Sequence, residues 1–173
     1  MIGAKIMIVV IALCSCGSSV AYIVDGSRIN RPHMLSYAKS KLPNQGTVEQ
    51  TAAGSTYLKV PDVYVKELFK QIQMPGYKLP HKSQISIINE YEAKGISSLL
   101  ELGQTVKFKP LGFYTIMEDN LEYFILAVDA PELSSMRTKY GLSEKLEDHA
   151  FTITIAVREI KVQDQLYRQL PKR

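Results

Sequence analysis

One short pattern occurs twice in this chain and limits the folds open to it. The first copy occupies 81–87 (HKSQISI) and the second occupies 149–155 (HAFTITI). Both read His-x-x-[Gln/Thr]-Ile-[Ser/Thr]-Ile, and each follows a strand-like run, a proline and an amphipathic helix. A pattern that recurs together with its context indicates an internal duplication. We therefore expect two similar lobes, each contributing one polar strand to a shared cleft.

Polar and apolar residues alternate along both copies, which predicts two β-strands with one polar face. Gln84 and Ser86 share a face in the first strand, as Thr152 and Thr154 do in the second. The isoleucines of the pattern should be buried on the opposite face: Ile85, Ile87, Ile153 and Ile155. A slip of one residue would expose all of them, at ~1.5–3 kcal/mol each, so the register should be firmly fixed.

The remaining elements predict an α+β fold. Apolar stripes indicate helices that begin at Pro61 and Pro131, and clean alternation predicts a strand over 105–109. The polar triplet 118–120 separates two strand-like runs and predicts a hairpin, whereas 96–102 is interpreted as a weak helix. We expect two pseudo-symmetric lobes whose antiparallel sheets face a central cleft, with the helices packed outside.

The first 21 residues have the layout of a secretory signal peptide. Lys5 precedes an apolar run over 6–13, which is too short to span a membrane, and small residues follow. Two endings remain open. The sequence around Cys16 resembles a bacterial lipobox, in which the signal ends at residue 15 and Cys16 is lipidated, whereas 19–21 (SVA) suits ordinary cleavage. Either ending predicts export to the periplasm, cell envelope or exterior, and the first adds a lipid anchor in the membrane.

The stretch 22–56 shows no sustained periodicity, and Gly, Ser, Asn, Pro and Gln are frequent in it. We interpret it as a flexible tether with at most a short helix over 34–41. The folded domain should then span 57–173, with its ordered part over about 57–157.

Charge and cysteine content limit the classes of function. A net charge of +4 and a pI near 9.0 permit an anionic ligand, but they are far from the charge density of extensive nucleic-acid binding. Both cysteines fall in the signal region, so we expect no disulfide framework, no cysteine zinc site and no cysteine nucleophile. The sequence shows no acidic metal cluster either, and we expect neither a metal nor a cofactor. The sequence also lacks a nucleophile elbow, a phosphate-binding glycine loop and a zinc-protease motif. We expect a monomer.

The tetrapeptides at 84–87 and 152–155 resemble the signature of the 2H phosphoesterase superfamily, which includes RNA 2',3'-cyclic phosphodiesterases and 2'-5' RNA ligase-like proteins. That signature is His-h-[Ser/Thr]-h, where h is apolar, once in each of two facing lobes. The resemblance spans about 57–157 and includes the helix that ends in 137–142 (RTKYGL). It implies that one imidazole removes a proton, that the other donates one, and that the hydroxyls bind the phosphate.

The sequence departs from this signature at the catalytic positions. Gln84 and Thr152 stand where the family carries its histidines, and neither side chain exchanges protons near neutral pH. Losing a general acid or base costs about 10²–10⁴-fold in rate. His81 and His149 each lie three residues upstream, an odd offset that turns them away from the cleft on a continuous strand.

The resemblance therefore predicts a degenerate enzyme. Our leading hypothesis is an exported, catalytically inactive 2H-like protein that binds a phosphorylated small molecule or nucleotide. The expected ligand-binding residues are Gln84, Ser86, Thr152 and Thr154. One alternative is an active 2',3'-cyclic nucleotide or RNA phosphodiesterase that uses His81 and His149. Another is a structural or interaction protein of the cell envelope.

Overall fold

The computed structural model describes residues 26–96 and 98–160, except for the side chain of Asp148. The predicted signal peptide over 1–21, the predicted lipidation site at Cys16 and the tail over 161–173 lie outside the described residues. Within the described ranges, no helix is both long enough and apolar enough to cross a membrane.

Strands outnumber helices in the described part of the chain. The strands are β1 (Ser27–Ile29), β2 (Gln45–Gln50), β3 (Thr56–Lys59), β4 (Gln84–Ile88), β5 (Thr105–Lys107), β6 (Lys109–Glu118), β7 (Leu121–Asp129) and β8 (Phe151–Glu159). The helices are α1 (Pro32–Lys41), α2 (Asp62–Lys70), α3 (Glu90–Ala93) and α4 (Pro131–Lys139), and one turn of 3-10 helix covers Leu146–Asp148.

The strands form two antiparallel sheets of four, in the orders β1-β6-β7-β8 and β4-β3-β2-β5. The α+β class expected from the sequence is therefore correct. The hairpin predicted around 118–120 joins β6 to β7, and its turn places Asp119 at a φ of 52°. α4 begins at Pro131, as the missing N–H and fixed φ of proline favour.

The strand pairing of one sheet recurs in the other. Tyr57 of β3 lies opposite Ser86 of β4, and Ile125 of β7 lies opposite Thr154 of β8. Each residue of the second pair follows its counterpart by 68 positions (57 to 125 and 86 to 154). The two strand pairs also share a register shift at the same place, just before Tyr57 and just before Ile125. The repeat of the sequence pattern is thus accompanied by a repeat of the backbone register.

One hydrophobic core spans both sheets. Leu58 and Ile85 from one sheet and Leu126 and Ile153 from the other are each fully buried in it. The helices pack crosswise: α2, which follows β3, contacts β8 of the other sheet, and α4, which follows β7, contacts β4. Each half of the chain therefore covers the pattern strand of the other half.

The prediction of a flexible tether over 22–56 is wrong for its described part, 26–56. β2 lies inside its sheet between β3 and β5, and β1 forms the edge of the other sheet. Met34, Ala38 and Val48 from this stretch belong to the core. α1 and β2 contribute few apolar residues of their own, so their periodicity is weak although the neighbouring elements bury them. The folded domain therefore includes residues 26–56.

The weak helix expected over 96–102 is also wrong, because no residue of 98–102 is helical. The helix of this region is α3, which starts earlier. The Asn89 side chain accepts a hydrogen bond from the Glu92 N–H, and the Glu92 carboxylate accepts one from the Asn89 N–H. This reciprocal capping fixes the start of the helix, and the chain turns at Gly95.

Gly46 in β2 occupies a position where a side chain does not fit. A Cβ atom there would lie 2.4 Å from the Lys59 carbonyl oxygen and 2.8 Å from Leu58 Cγ. We expect Gly46→Ala to lower the free energy of unfolding by about 1–3 kcal/mol, as overpacking does. Gly95→Ala is the matched control, because its Cβ would come no closer than 3.9 Å to Glu92. Equal denaturation midpoints for the two variants would contradict this prediction.

Candidate functional site

The two pattern strands lie side by side at the boundary between the sheets. β4 is the edge strand of one sheet, β8 is the edge strand of the other, and residues of the two strands contact each other. Polar residues of both copies of the pattern are therefore brought to one boundary.

The burial pattern confirms the predicted register on both strands. The isoleucines of the pattern, Ile85, Ile87, Ile153 and Ile155, are each 0% exposed. Ser86 is exposed, and Gln84, Thr152 and Thr154 are half-buried. Alternation along the strand thus separates a core face from a polar face, as the sequence predicts.

A cavity of about 410 Å³ opens at this boundary. Its wall includes Ser86 from β4 and Thr152 from β8, so each sheet contributes one hydroxyl. Gln84 and Thr154 do not belong to this wall. The structure therefore brings two of the four predicted ligand-binding residues to one cavity.

His149 lines the same cavity, whereas His81 does not. The expectation that both imidazoles turn away from the cleft is wrong for His149. β8 begins only at Phe151, and the preceding 3-10 turn contains Glu147 at a φ of 50°, so residues 146–150 do not continue the strand. The direction of the His149 side chain therefore cannot be predicted by alternation back from Thr152, because alternation holds only on a continuous strand. His81 is exposed in the loop before β4.

The charged side chains on the cavity wall are acidic. Glu118 from the end of β6 and Glu147 from the 3-10 turn line it, and no described lysine or arginine does. Two carboxylates oppose the binding of a doubly charged phosphate by Coulomb repulsion. A ligand that presents hydroxyl or amino donors to them is favoured.

The sequence did not predict a hydrogen-bonded group beside β4, which consists of Glu49, Tyr57 and Lys59. Tyr57 lies opposite Ser86 and Lys59 opposite Gln84 on β3. The Tyr57 hydroxyl donates to Glu49 Oε2 at 2.9 Å, and Lys59 Nζ lies 3.2 Å from Glu49 Oε1. Hydrogen bonds first from Tyr57 and then from Lys59 lower the pKa of the Glu49 carboxyl, although burial opposes them. The only signal for this group was strand alternation over 56–59.

A buried arginine is hydrogen-bonded to the backbone of β4. Arg137 of α4 is fully buried, and its guanidinium donates to the Ile87 carbonyl oxygen, next to Ser86. It also donates to both carboxylate oxygens of Glu92, at 2.7 and 3.0 Å, and to the Ser143 carbonyl oxygen at 2.8 Å. These bonds tie α4 to the end of the first pattern strand and to the loop that leads to the second.

Comparisons with known proteins identify no match to this chain. No family model matches the chain, and neither a curated protein nor a solved structure does. Within residues 26–96 and 98–160, no group of three or more His, Cys, Asp or Glu side chains could hold a metal ion.

Proposed function

We propose that this chain is an exported, non-catalytic binding protein built on the 2H plan. One observation carries the proposal: Ser86 and Thr152, one from each copy of the pattern, line a single cavity at the boundary between the sheets. In the superfamily that the sequence resembles, the two copies of the signature likewise face each other across a cleft. The recurrence of strand order and register in both sheets agrees with that plan.

The proposed absence of catalysis rests on the groups available for proton transfer. Gln84 and Thr152 occupy the positions of the two catalytic histidines, and neither titrates near neutral pH. His149 could serve as one proton-transfer group at the cavity, but His81 lies away from the wall. The pair of imidazoles that the superfamily uses for acid–base catalysis therefore lacks its second member, at a cost of about 10²–10⁴-fold for the missing group.

The proposed ligand is a cyclic nucleotide or another phosphate diester that carries a single negative charge. The hydroxyls of Ser86 and Thr152 can donate hydrogen bonds to the phosphate. Glu118 and Glu147 can accept from sugar hydroxyls or base amino groups, and they disfavour a doubly charged monoester. The cavity of about 410 Å³ is within the roughly 300–1,000 Å³ typical of small-molecule sites.

The purified protein is expected to bind 2',3'-cyclic nucleotides weakly and to hydrolyse neither them nor 2'-5' dinucleotides. Thr152→Val should weaken binding about 10–150-fold, because one hydrogen bond to a charged group contributes about 1.5–3 kcal/mol. Thr105→Val is the matched control, since Thr105 is exposed on the opposite edge of the β4 sheet. Titration calorimetry measures both variants, and unchanged affinity in Thr152→Val would refute this use of the cleft.

Restoring histidine at both signature positions, Gln84→His with Thr152→His, is expected to generate phosphodiesterase activity in a folded variant. Its failure would mean that these positions are misassigned. Hydrolysis by the unmodified protein that disappears in His149→Ala would instead favour the active phosphodiesterase. A cavity that binds no cyclic nucleotide at millimolar concentration would favour the structural or interaction protein.

A further inference from the structure

A second cavity, of about 480 Å³, lies away from the cleft, where β1, the start of α1 and β6 meet. Arg28 and Arg31 line it together with Asn30, and no carboxylate does among the described residues. Neither arginine forms an ion pair within residues 26–96 and 98–160. The wall of this second cavity is thus positively charged, whereas the wall of the cavity lined by Ser86 and Thr152 is negatively charged.

Arg28 and Gly112 lie next to each other on the wall of this cavity. Arg28 of β1 pairs with Tyr114 of β6, and its Nε lies 3.9 Å from the position of an ideal Cβ on Gly112. The arginine side chain therefore runs along β6 past Gly112, where the Tyr114 ring also lies 3.5 Å from the same ideal position. Arg31, just before α1, is half-buried and lines the same cavity.

The floor of the cavity is apolar. Phe113 is buried at 1% exposure, and Ile29 and Leu35 pack partly buried against the same core. A ligand in this cavity would contact guanidinium groups at the rim and apolar carbon atoms at the floor. This combination suits a molecule with one anionic group and an apolar portion.

We propose that this cavity binds the phosphate ester group of a small amphipathic molecule. Guanidinium groups bind phosphate oxygens through paired, charge-assisted hydrogen bonds, which a lysine ammonium does not reproduce. The same chemistry is present in a free organic phosphate and in the headgroup of an anionic phospholipid. The proposal does not rest on the function of the cleft, because the two cavities share no lining residue.

Titration of the full chain with phenyl phosphate tests the proposal, with backbone amide shifts as the readout. We expect shifts around Arg28 and Arg31 and a dissociation constant raised at least tenfold in Arg28→Ala/Arg31→Ala. Lys39→Ala/Lys41→Ala is the matched control, since it removes the same charge from the far end of α1. Arg28→Lys/Arg31→Lys keeps the charge and should still bind several-fold more weakly than the wild type.

Sedimentation with phosphatidylglycerol vesicles, and with phosphatidylcholine vesicles as the neutral control, distinguishes the two sources of phosphate. Binding to the anionic vesicles that is lost in the arginine variant alone identifies a lipid headgroup. Binding of phenyl phosphate without vesicle binding identifies a free ligand. Equal losses in the arginine and lysine variants, or no binding of either probe, would overturn the proposal.

Discussion

A Glu92→Ala variant is expected to lose about 3–5 kcal/mol of free energy of unfolding, because it leaves the Arg137 guanidinium buried without its counter-charge. Arg137 is 0% exposed, and the Glu92 side chain is 23% exposed, so water can replace little of what is lost. The substitution also removes the carboxylate that caps the start of α3. Denaturant titration of both proteins measures the difference.

Glu67→Ala is the matched control for that experiment. Glu67 forms its ion pair with Lys70, whose side chain is 68% exposed, on the surface of α2. Exposed pairs contribute about 0–1 kcal/mol, so this variant should remain close to the wild type. If Glu92→Ala and Glu67→Ala cost the same, the buried arginine does not depend on its partner.

The same pair gives the wild type a pH-dependent stability. Hydrogen bonds from Arg137 lower the pKa of the Glu92 carboxyl; burial opposes this, and the Asn89 N–H adds to it. A lowered folded-state pKa stabilises the fold above the ordinary value of 4.5, and this contribution is lost as the pH falls through the lowered value. Glu92→Gln should therefore flatten the decline in stability below about pH 4.5.

A chain that begins at Tyr57 is expected not to fold cooperatively. It lacks β2, so β3 loses one neighbour, and β5, which pairs with β2 alone among the described strands, loses its only one. It also lacks core side chains, namely Met34, Leu42 and Val48. Each such side chain contributes about 1.5–3 kcal/mol on burial, and these losses approach the total stability of about 5–15 kcal/mol of a typical domain.

Circular dichroism during heating distinguishes the outcomes. A chain that begins at Gly26 keeps every described element and should melt in one sharp transition. The chain that begins at Tyr57 should show no sharp transition and a low content of ordered structure. A sharp melt of the shorter chain at the same temperature would restore the interpretation of 22–56 as a tether.

Sequence reasoning succeeded where one residue type fixes a local choice. The isoleucines of the pattern set the register of β4 and β8, because a slip would expose them. The polar triplet before Leu121 predicted the hairpin correctly. The sequence did not predict β2. This strand is held in its sheet by hydrogen bonds to β3 and β5, and backbone hydrogen bonds do not require a periodic pattern of apolar side chains over 45–50.

The candidate site was predictable in part for the same reason. Ser86 and Thr152 follow from strand alternation, whereas His149 reaches the cavity through a turn that alternation does not describe. Glu118 comes from a distant hairpin, so only the tertiary fold places it on the wall. The arginine-lined cavity likewise joins residues near 30 to residues near 112, a separation that no local pattern bridges.

Ser27 and Glu159, near the first and last described residues, lie at the same end of the sheet that contains β1. Ser27 lies opposite Thr115, and Glu159 lies opposite Leu121, both near the β6–β7 turn. Three strand spacings, ~14 Å, separate β1 from β8 across that sheet. If these ends were joined into a ring, β6, β7, β8 and β1 would follow one another as β2, β3, β4 and β5 do, because β1 takes the place beside β6 that β5 takes beside β2. A ring of the described residues that was opened before β2 instead of before β1 would carry each four-stranded sheet on one continuous half of the chain.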